Sequence, residues 1–363
     1  MKIAAIETML LALPYRTSGG HHFIAGRPSS VLSMLLVRVA TDAGIDGWGE
    51  AFGHAVAAGT KTVIDTMIAP LLIGRDPRDI AGLMNDAQRK LHIFGRNGPV
   101  IYGLSGIDIA LWDIAGKLAG QPLYKLLGGT PVDDLPAYAS LLRTTGPAAV
   151  AQSCSHALEQ GYRAIKLHEV DPLAIYAARE AVGPDVALMV DTNCPWSVAQ
   201  AVDMATALRP LQLQWIEEPV WPPEDYEGLG RVREAGMVIA AGENLCSAHE
   251  FRRLLSAKAV DVVQPSVSKT GGVSAMKPIA ELAQTFGVRT VPHCGYLGPG
   301  LLATLHVVAA LGGDVPVERL DIELEEEPFS ELTKVRRGRI ALPRGPGLGG
   351  EPDKAVLDRC RAM

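Results

Sequence analysis

The sequence predicts an α/β fold: a (β/α)8 TIM-like barrel preceded by an N-terminal α+β capping domain. Three observations carry that expectation. The chain has 363 residues, more than the roughly 100–200 of one ordinary domain, and 48% hydrophobic residues to fill large cores. Beyond Pro131, short β-rich apolar runs alternate with helical stretches, the pattern of repeated βα units on a parallel sheet. Ahead of Pro131, hairpin-like strands are followed by helices without further strands, the pattern of an α+β unit.

Residues 1–130 form the expected cap. Met1 to Pro14 is apolar, but Glu7 interrupts it and no small-residue cleavage site follows, so it reads as a strand over Lys2–Leu13 rather than a signal peptide. A Gly- and His-bearing loop spans Tyr15 to Pro28, a second strand spans Val31 to Thr41, and a Gly-rich turn leads into Trp48. From Thr60 to about Leu127 the apolar spacing turns helical, as in Val63, Met67, Leu71 and in Ile107, Leu111, Ile114, Leu118, with Gly128-Gly129 closing the run.

Residues 131–325 form the expected barrel. Its strands are Ala137–Ser140, Ala164–His168, Ala187–Val190, Leu213–Ile216, Val238–Ala241, Val260–Val263, Arg289–Val291 and Val315–Glu318. The tail, 326–363, is rich in Pro and Gly near Pro343 to Pro352 and is expected to pack back on the cap.

The net charge of -6 comes from interspersed acids and bases, which gives no basic footprint for nucleic acid. No stretch of ~18 or more apolar residues is expected to cross a membrane. The expected partner is a small molecule, and the expected location cytoplasmic. Five scattered cysteines, Cys154, Cys194, Cys246, Cys294 and Cys360, without CxxC pairing fit reduced thiols rather than a disulfide framework.

In such barrels the chemistry sits at the C-terminal ends of the strands. The third run ends in Asp191, the fourth in Glu217 and the fifth in Glu243, each 26 residues after the last. Any one strand-end acid could be solvated or paired; three at equal phase are expected to converge, and converging carboxylates need a counter-charge. A hard divalent ion supplies it: all-oxygen ligation suits Mg²⁺, with Mn²⁺ as substitute, and argues against zinc. Glu218 rivals Glu217, because adjacent residues of a strand point to opposite faces.

The second run ends Lys166-Leu167-His168, an i, i+2 pair that places a cation and a titratable base on one face. His293, after the seventh run, offers a second titratable group from the far side. The eighth offers Glu318 and Asp321, with salt-bridging to Arg319 as the plainer alternative.

In this order, Lys-x-His, Asp191-x-Asn193, Trp215-Ile-Glu-Glu-Pro219, Gly242-Glu-Asn, Gln264-Pro-(x)₄-Thr-Gly-Gly272, Pro292-His293 and Glu318-Arg-Leu-Asp321 resemble the mandelate racemase group of the enolase superfamily. Gly47-Trp-Gly-Glu50 and Ser105-Gly-Ile-Asp-Ile-Ala-Leu-Trp-Asp113 resemble that group's capping domain. The resemblance covers essentially the whole chain. It implies abstraction of a proton α to a carboxylate, an enediolate intermediate stabilised by Mg²⁺, and a Lys or His base. By resemblance, Asp191, Glu217 and Glu243 match the metal ligands and Asn193 an ancillary position. Lys166 matches a residue that contacts the substrate carboxylate, His168 the base, His293 the opposite-face histidine and Glu318 an acid that hydrogen-bonds the carboxylate. His21, His22 and Phe23 fall on the substrate-covering loop and His54 on a second one, while Gln264 and Ser266 follow the sixth strand as substrate or ancillary residues. A homo-oligomer is also implied.

Two departures from the pattern matter. His168 stands where a lysine is usual; histidine starts near ~6.5 and needs no lowering to act as a base near neutrality. Ser266 stands where racemases of the group place the aspartate that orients the opposite-face histidine. Dehydration of a sugar acid or related hydroxy acid to a 2-keto acid is therefore the leading expectation. Racemisation, epimerisation or cycloisomerisation of a small carboxylic acid comes second. A metal-dependent aldolase or a non-catalytic binding protein is a remote alternative.

Overall fold

The structure, a computed structural model, describes residues 1–18, 22–24, 27–312 and 314–362. In the cap, Ile3–Arg16 pairs antiparallel with Val31–Thr41, in register from Ala5↔Ala40 to Pro14↔Val31, and Val31–Thr41 pairs with Asp46–Ala51. The first strand runs past the expected Leu13 because Tyr15 and Arg16 find partners in Leu324 and Glu323, beyond the last barrel strand. Within the expected loop, the backbone forms a short hairpin of His22–Ile24 with Arg27–Ser29, while His21 lies outside the described residues.

The strand Asp46–Ala51 lies directly on the long helix Pro99–Ala119, and its glycines make that approach possible. A Cβ at Gly49 would sit 1.8 Å from the Gly106 carbonyl oxygen, and one at Gly47 2.0 Å from that of Ala110. The helical run His54–Leu72 has the length (19 residues) and mean hydropathy (1.3) to cross a bilayer, contrary to the expectation from sequence. Its Ile64, Ile68 and Leu72 instead pack into the cap core.

Seven parallel strands follow in ladder order: Asp134–Leu141, Ala164–His168, Ala187–Asp191, Trp215–Glu217, Ile239–Ala241, Val262–Val263 and Arg289–Thr290. The eighth, Val317–Leu320, pairs back onto the first at Val317↔Ala137. Among the described residues no ladder joins the seventh strand to the eighth. The two-residue period of the strands splits their side chains between two cores. Tyr138, Met189, Trp215, Ala240, Val262 and Val291 form one buried cluster, while Ile165, Leu167, Leu188, Val190, Ile216 and Ile239 pack in another, with the residues of the outer helices.

Cap and barrel are clasped by buried polar groups of the motifs noted in sequence. Ser105 Oγ accepts from the Gly271 amide (2.8 Å), Asp108 Oδ1 from Ser274 (3.1 Å) and Glu50 Oε2 from Gly300 (2.9 Å). Ser268 Oγ donates to the Glu50 carbonyl (2.8 Å). Gly271, Ser274 and Gly300 lie at or next to the N-terminal ends of Val273–Thr285 and Pro299–Ala310, where amides lack helical partners. The tail returns to the cap: the Leu348 amide donates to Asp113 Oδ1 (2.8 Å) and Ala362 to the Leu10 carbonyl (2.8 Å).

Candidate metal centre and active site

Asp191 and Glu217 share a phase with Met189 and Trp215 of the inner cluster, so each follows an inward-facing apolar residue by two positions. Glu243 stands beyond the end of its strand, after Gly242 at φ 122°, a backbone turn that favours glycine. One ligand atom from each of the three carboxylates lies within 4.8 Å of the other two, the only such group among the described residues. Hard oxygen donors this close suit a divalent cation. Glu218 points elsewhere, toward Asn244 Nδ2 (3.4 Å) and Cys194 Sγ (3.8 Å).

The counter-charge is not left to a cation alone. The fully buried Lys166 ammonium lies 3.0 Å from Glu217, 2.8 Å from Glu318 and 3.5 Å from Asp191. Burial alone would lower its pKa, but Glu217 and Glu318 more than offset this and hold it well above the lysine range. Burial and then the Asp191 charge push the Glu217 pKa up, against the opposing pull of the Lys166 ammonium. Glu318 pairs with Lys166 rather than Arg319, which instead reaches Glu327 at 3.6 Å; Asp321 accepts from Ser18.

His168 Nδ1 lies 2.8 Å from the Leu141 carbonyl and Nε2 lies 3.3 Å from Asp191 Oδ2. A carbonyl only accepts, so Nδ1 carries hydrogen, and Nε2 is the nitrogen that gains or loses a proton, set against the Asp191 carboxylate. Burial lowers the His168 pKa, while the Asp191 charge and hydrogen bond outweigh it and leave it raised. Asn193, at φ 53°, gives its backbone amide to Asp191 Oδ1 (3.0 Å).

Across the site, His293 Nδ1 is 3.1 Å from Ser266 Oγ, which is 2.5 Å from the Tyr296 hydroxyl. A neutral hydroxyl pair thus stands behind this imidazole. Its other nitrogen is not without a carboxylate: Nε2 is 3.2 Å from Glu243 Oε2. Burial lowers the His293 pKa despite that carboxylate.

A cavity of about 670 Å³ opens onto these groups, lined among others by His54, Asn193, His168, Glu243 and His293. His54 adopts φ 49°, and burial followed by the Lys269 charge lowers its pKa to about 4, so it is neutral. Asp191, Glu217, Lys166, Glu318 and Gln264 lie behind this lining rather than in it. Gln264 is fully buried, and neither amide atom has a hydrogen-bond partner among the described residues. The side chains of His22 and Phe23 lie outside the described ones.

Three residues of the site are not singled out by the sequence pattern. Lys269 lines the cavity, bonds Glu243 Oε1 (3.2 Å) and Asn244 Oδ1 (3.0 Å), and lies 4.5 Å above the Phe52 ring. Its lysine within the Gln264 to Gly272 motif was the available signal. Tyr296 and Arg143 lie in loops with no periodicity to mark them.

Residues 8–128 match the family described as mandelate racemase / muconate lactonizing enzyme, N-terminal domain, and residues 149–356 match the enolase C-terminal domain-like family. The chain is 32% identical to the D-galactarolactone cycloisomerase of Agrobacterium fabrum, with 99% of each chain covered. It is 31% identical to the arabinonate dehydratase of Saccharolobus solfataricus, with 90% of each covered. A racemase from Streptomyces coelicolor A3(2), solved with bound magnesium, superposes with a TM-score of 0.87 at 29% identity, covering 99% of this chain and 100% of that one.

Proposed function

Because this chain belongs to the mandelate racemase / muconate lactonizing enzyme family of the enolase superfamily and is an enzyme of lyase or isomerase type, we propose that it removes the proton α to the carboxylate of a sugar acid and dehydrates the acid to a 2-keto acid. The observation that carries this reading is His168, a histidine whose tautomer is fixed by a carbonyl at Nδ1 and whose Nε2 faces Asp191 of the buried acid group.

Asp191, Glu217 and Glu243 would hold Mg²⁺, or Mn²⁺ in its place. When bound, the cation supplies Lewis-acid stabilisation of the negative charge that develops on the substrate carboxylate. His168 Nε2 takes the α-proton. Lys166, whose positive charge is held fixed among Glu217, Glu318 and Asp191, adds to the stabilisation of that charge. His293, on the opposite side and backed by Ser266, delivers a proton to the departing β-hydroxyl, which leaves as water. The cap contributes His54 and Phe52 to the lining of the same cavity.

Cycloisomerisation is the second reading, favoured by the full-length likeness to a cycloisomerase. It shares the proton abstraction and differs in the group that leaves. A homo-oligomer acting in the cytoplasm is part of the same proposal. Incubating sugar acids and their lactones with Mg²⁺ in D₂O distinguishes the readings. The dehydratase forms a 2-keto acid without returning stereoisomers of the substrate; a ring-opened or rearranged isomer with no loss of water supports the cycloisomerase, and interconverting deuterated stereoisomers overturn both.

A further inference from the structure

We propose that Arg143 receives a second carboxylate at the far end of the substrate, so that the acid turned over is a dicarboxylate, an aldaric acid or its lactone; this rests on the proton-abstraction reading above.

The argument begins with the charges that face the cavity. Lys269 is committed to Glu243 and Asn244. Arg143 is the other fixed cation in the lining, and it has no carboxylate within ion-pair reach among the described residues. Its one hydrogen bond among the described residues runs from Nε to the His168 carbonyl oxygen at 3.3 Å. The nearest acid in sequence to that carbonyl, Glu169, is turned into its own loop, accepting from the Val170 (2.7 Å) and Asp171 (3.1 Å) amides. Both Nη groups of the exposed Arg143 side chain are therefore without a partner among the described residues, and they form the planar donor edge that suits a carboxylate.

Its position is set relative to the base. The first strand gives the Leu141 carbonyl to His168 Nδ1 (2.8 Å), and two residues later Arg143 returns Nε to the His168 carbonyl. His168 is thus held between two groups. Its ring nitrogen Nε2 faces Asp191 and the acid cluster, where the reacting carboxylate belongs, while Arg143 is anchored on its backbone. Leu142, Leu320 and Ile322 line the same cavity and offer no competing polar partner. A volume of about 670 Å³ falls within the ~300–1,000 Å³ of sites for ligands of drug size, which leaves room for a six-carbon chain between the two ends.

The test is titration calorimetry with Mg²⁺ on the His168→Asn protein, using the aldaric acids of the galacto, gluco and manno series, each paired with the aldonic acid of the same configuration. At least one aldarate should bind tighter than its aldonate by roughly tenfold to a hundredfold, the range of a charge-assisted carboxylate contact. Adding Arg143→Gln should bring that ratio close to one, and Arg143→Lys, a charge without the planar fork, should leave it in between. If no aldarate binds more tightly than its partner, or if the preference survives Arg143→Gln, the assignment is overturned. The two readings fail separately: α-deuteration of any of these acids by the His168→Asn protein removes His168 as the base, whereas the affinity ratio is read without turnover.

Discussion

His168 Nε2 lies 3.3 Å from Asp191 Oδ2, so the proposed base and a proposed metal ligand are in contact across adjacent strands. With Nδ1 held by the Leu141 carbonyl, no rotation can replace Nε2 as the acceptor. His168→Ala should reduce exchange of the substrate α-proton with D₂O by roughly 10²–10⁴-fold, the usual share of a general base. Exchange at the wild-type rate, followed by NMR, would move the base to Lys166 or to the opposite face.

The two adjacent glutamates should behave differently. Glu217→Gln should lose bound Mg²⁺ and turnover together, because Glu217 belongs to the converging group. Glu218→Gln should keep the metal, since its carboxylate faces Asn244 and Cys194. Chelation should abolish turnover, and Mg²⁺ should restore it. Metal content measured by atomic emission decides the pair; loss from the Glu218 variant alone would reverse the assignment.

His293 and His168 act at different steps in the proposed sequence. His293→Asn should retain deuterium exchange at the α-carbon through His168 while losing formation of the 2-keto acid. Loss of exchange as well would make His293 part of the abstraction step.

Glu50 gives the protein a pH-dependent stability. Burial raises its pKa to about 7, with the Gly300 and Gly298 amides opposing that shift. A carboxyl raised on folding favours the protonated native state, so its contribution is full below the ordinary value of 4.5 and is lost as pH rises through about 7. The loss is on the order of 3 kcal/mol. Glu50→Gln, which stays neutral, should gain on the wild type in urea unfolding between pH 5 and pH 8; an unchanged difference across that window would rule out the shift.

The cap should not tolerate a side chain at Gly49. Gly49→Ala places a carbon against the Gly106 carbonyl, a backbone group that cannot swing aside. A cost of about 3 kcal/mol or more, at the upper end for overpacking, should appear as a lower thermal midpoint. An unchanged midpoint would show that the strand can lift off the helix.

The fold was legible because a parallel barrel writes itself as apolar runs at roughly regular intervals. The runs ending at His168 and Asp191 coincide with the observed strands to within a residue. Period 2 carries Asp191 and Glu217 inward from Met189 and Trp215, but the choice of Glu217 over Glu218 needed the inner cluster, which shows which residues of the run face inward. The extension of the first strand to Arg16 was not legible, because it depends on pairing with Leu324 and Glu323, more than 300 residues away.

The sequence by itself determined which residue types end each strand, and with them the acid group, the Lys-x-His pair and the opposite histidine. It could not apportion their charges. Only the tertiary structure decided that Lys166 is enclosed by three carboxylates, that Ser266 is backed by Tyr296, and that Arg143 is tied to His168. The physical reason is that strand periodicity fixes the face a side chain takes, whereas hydrogen bonding and burial depend on which loops meet at the barrel mouth, and loops carry no period.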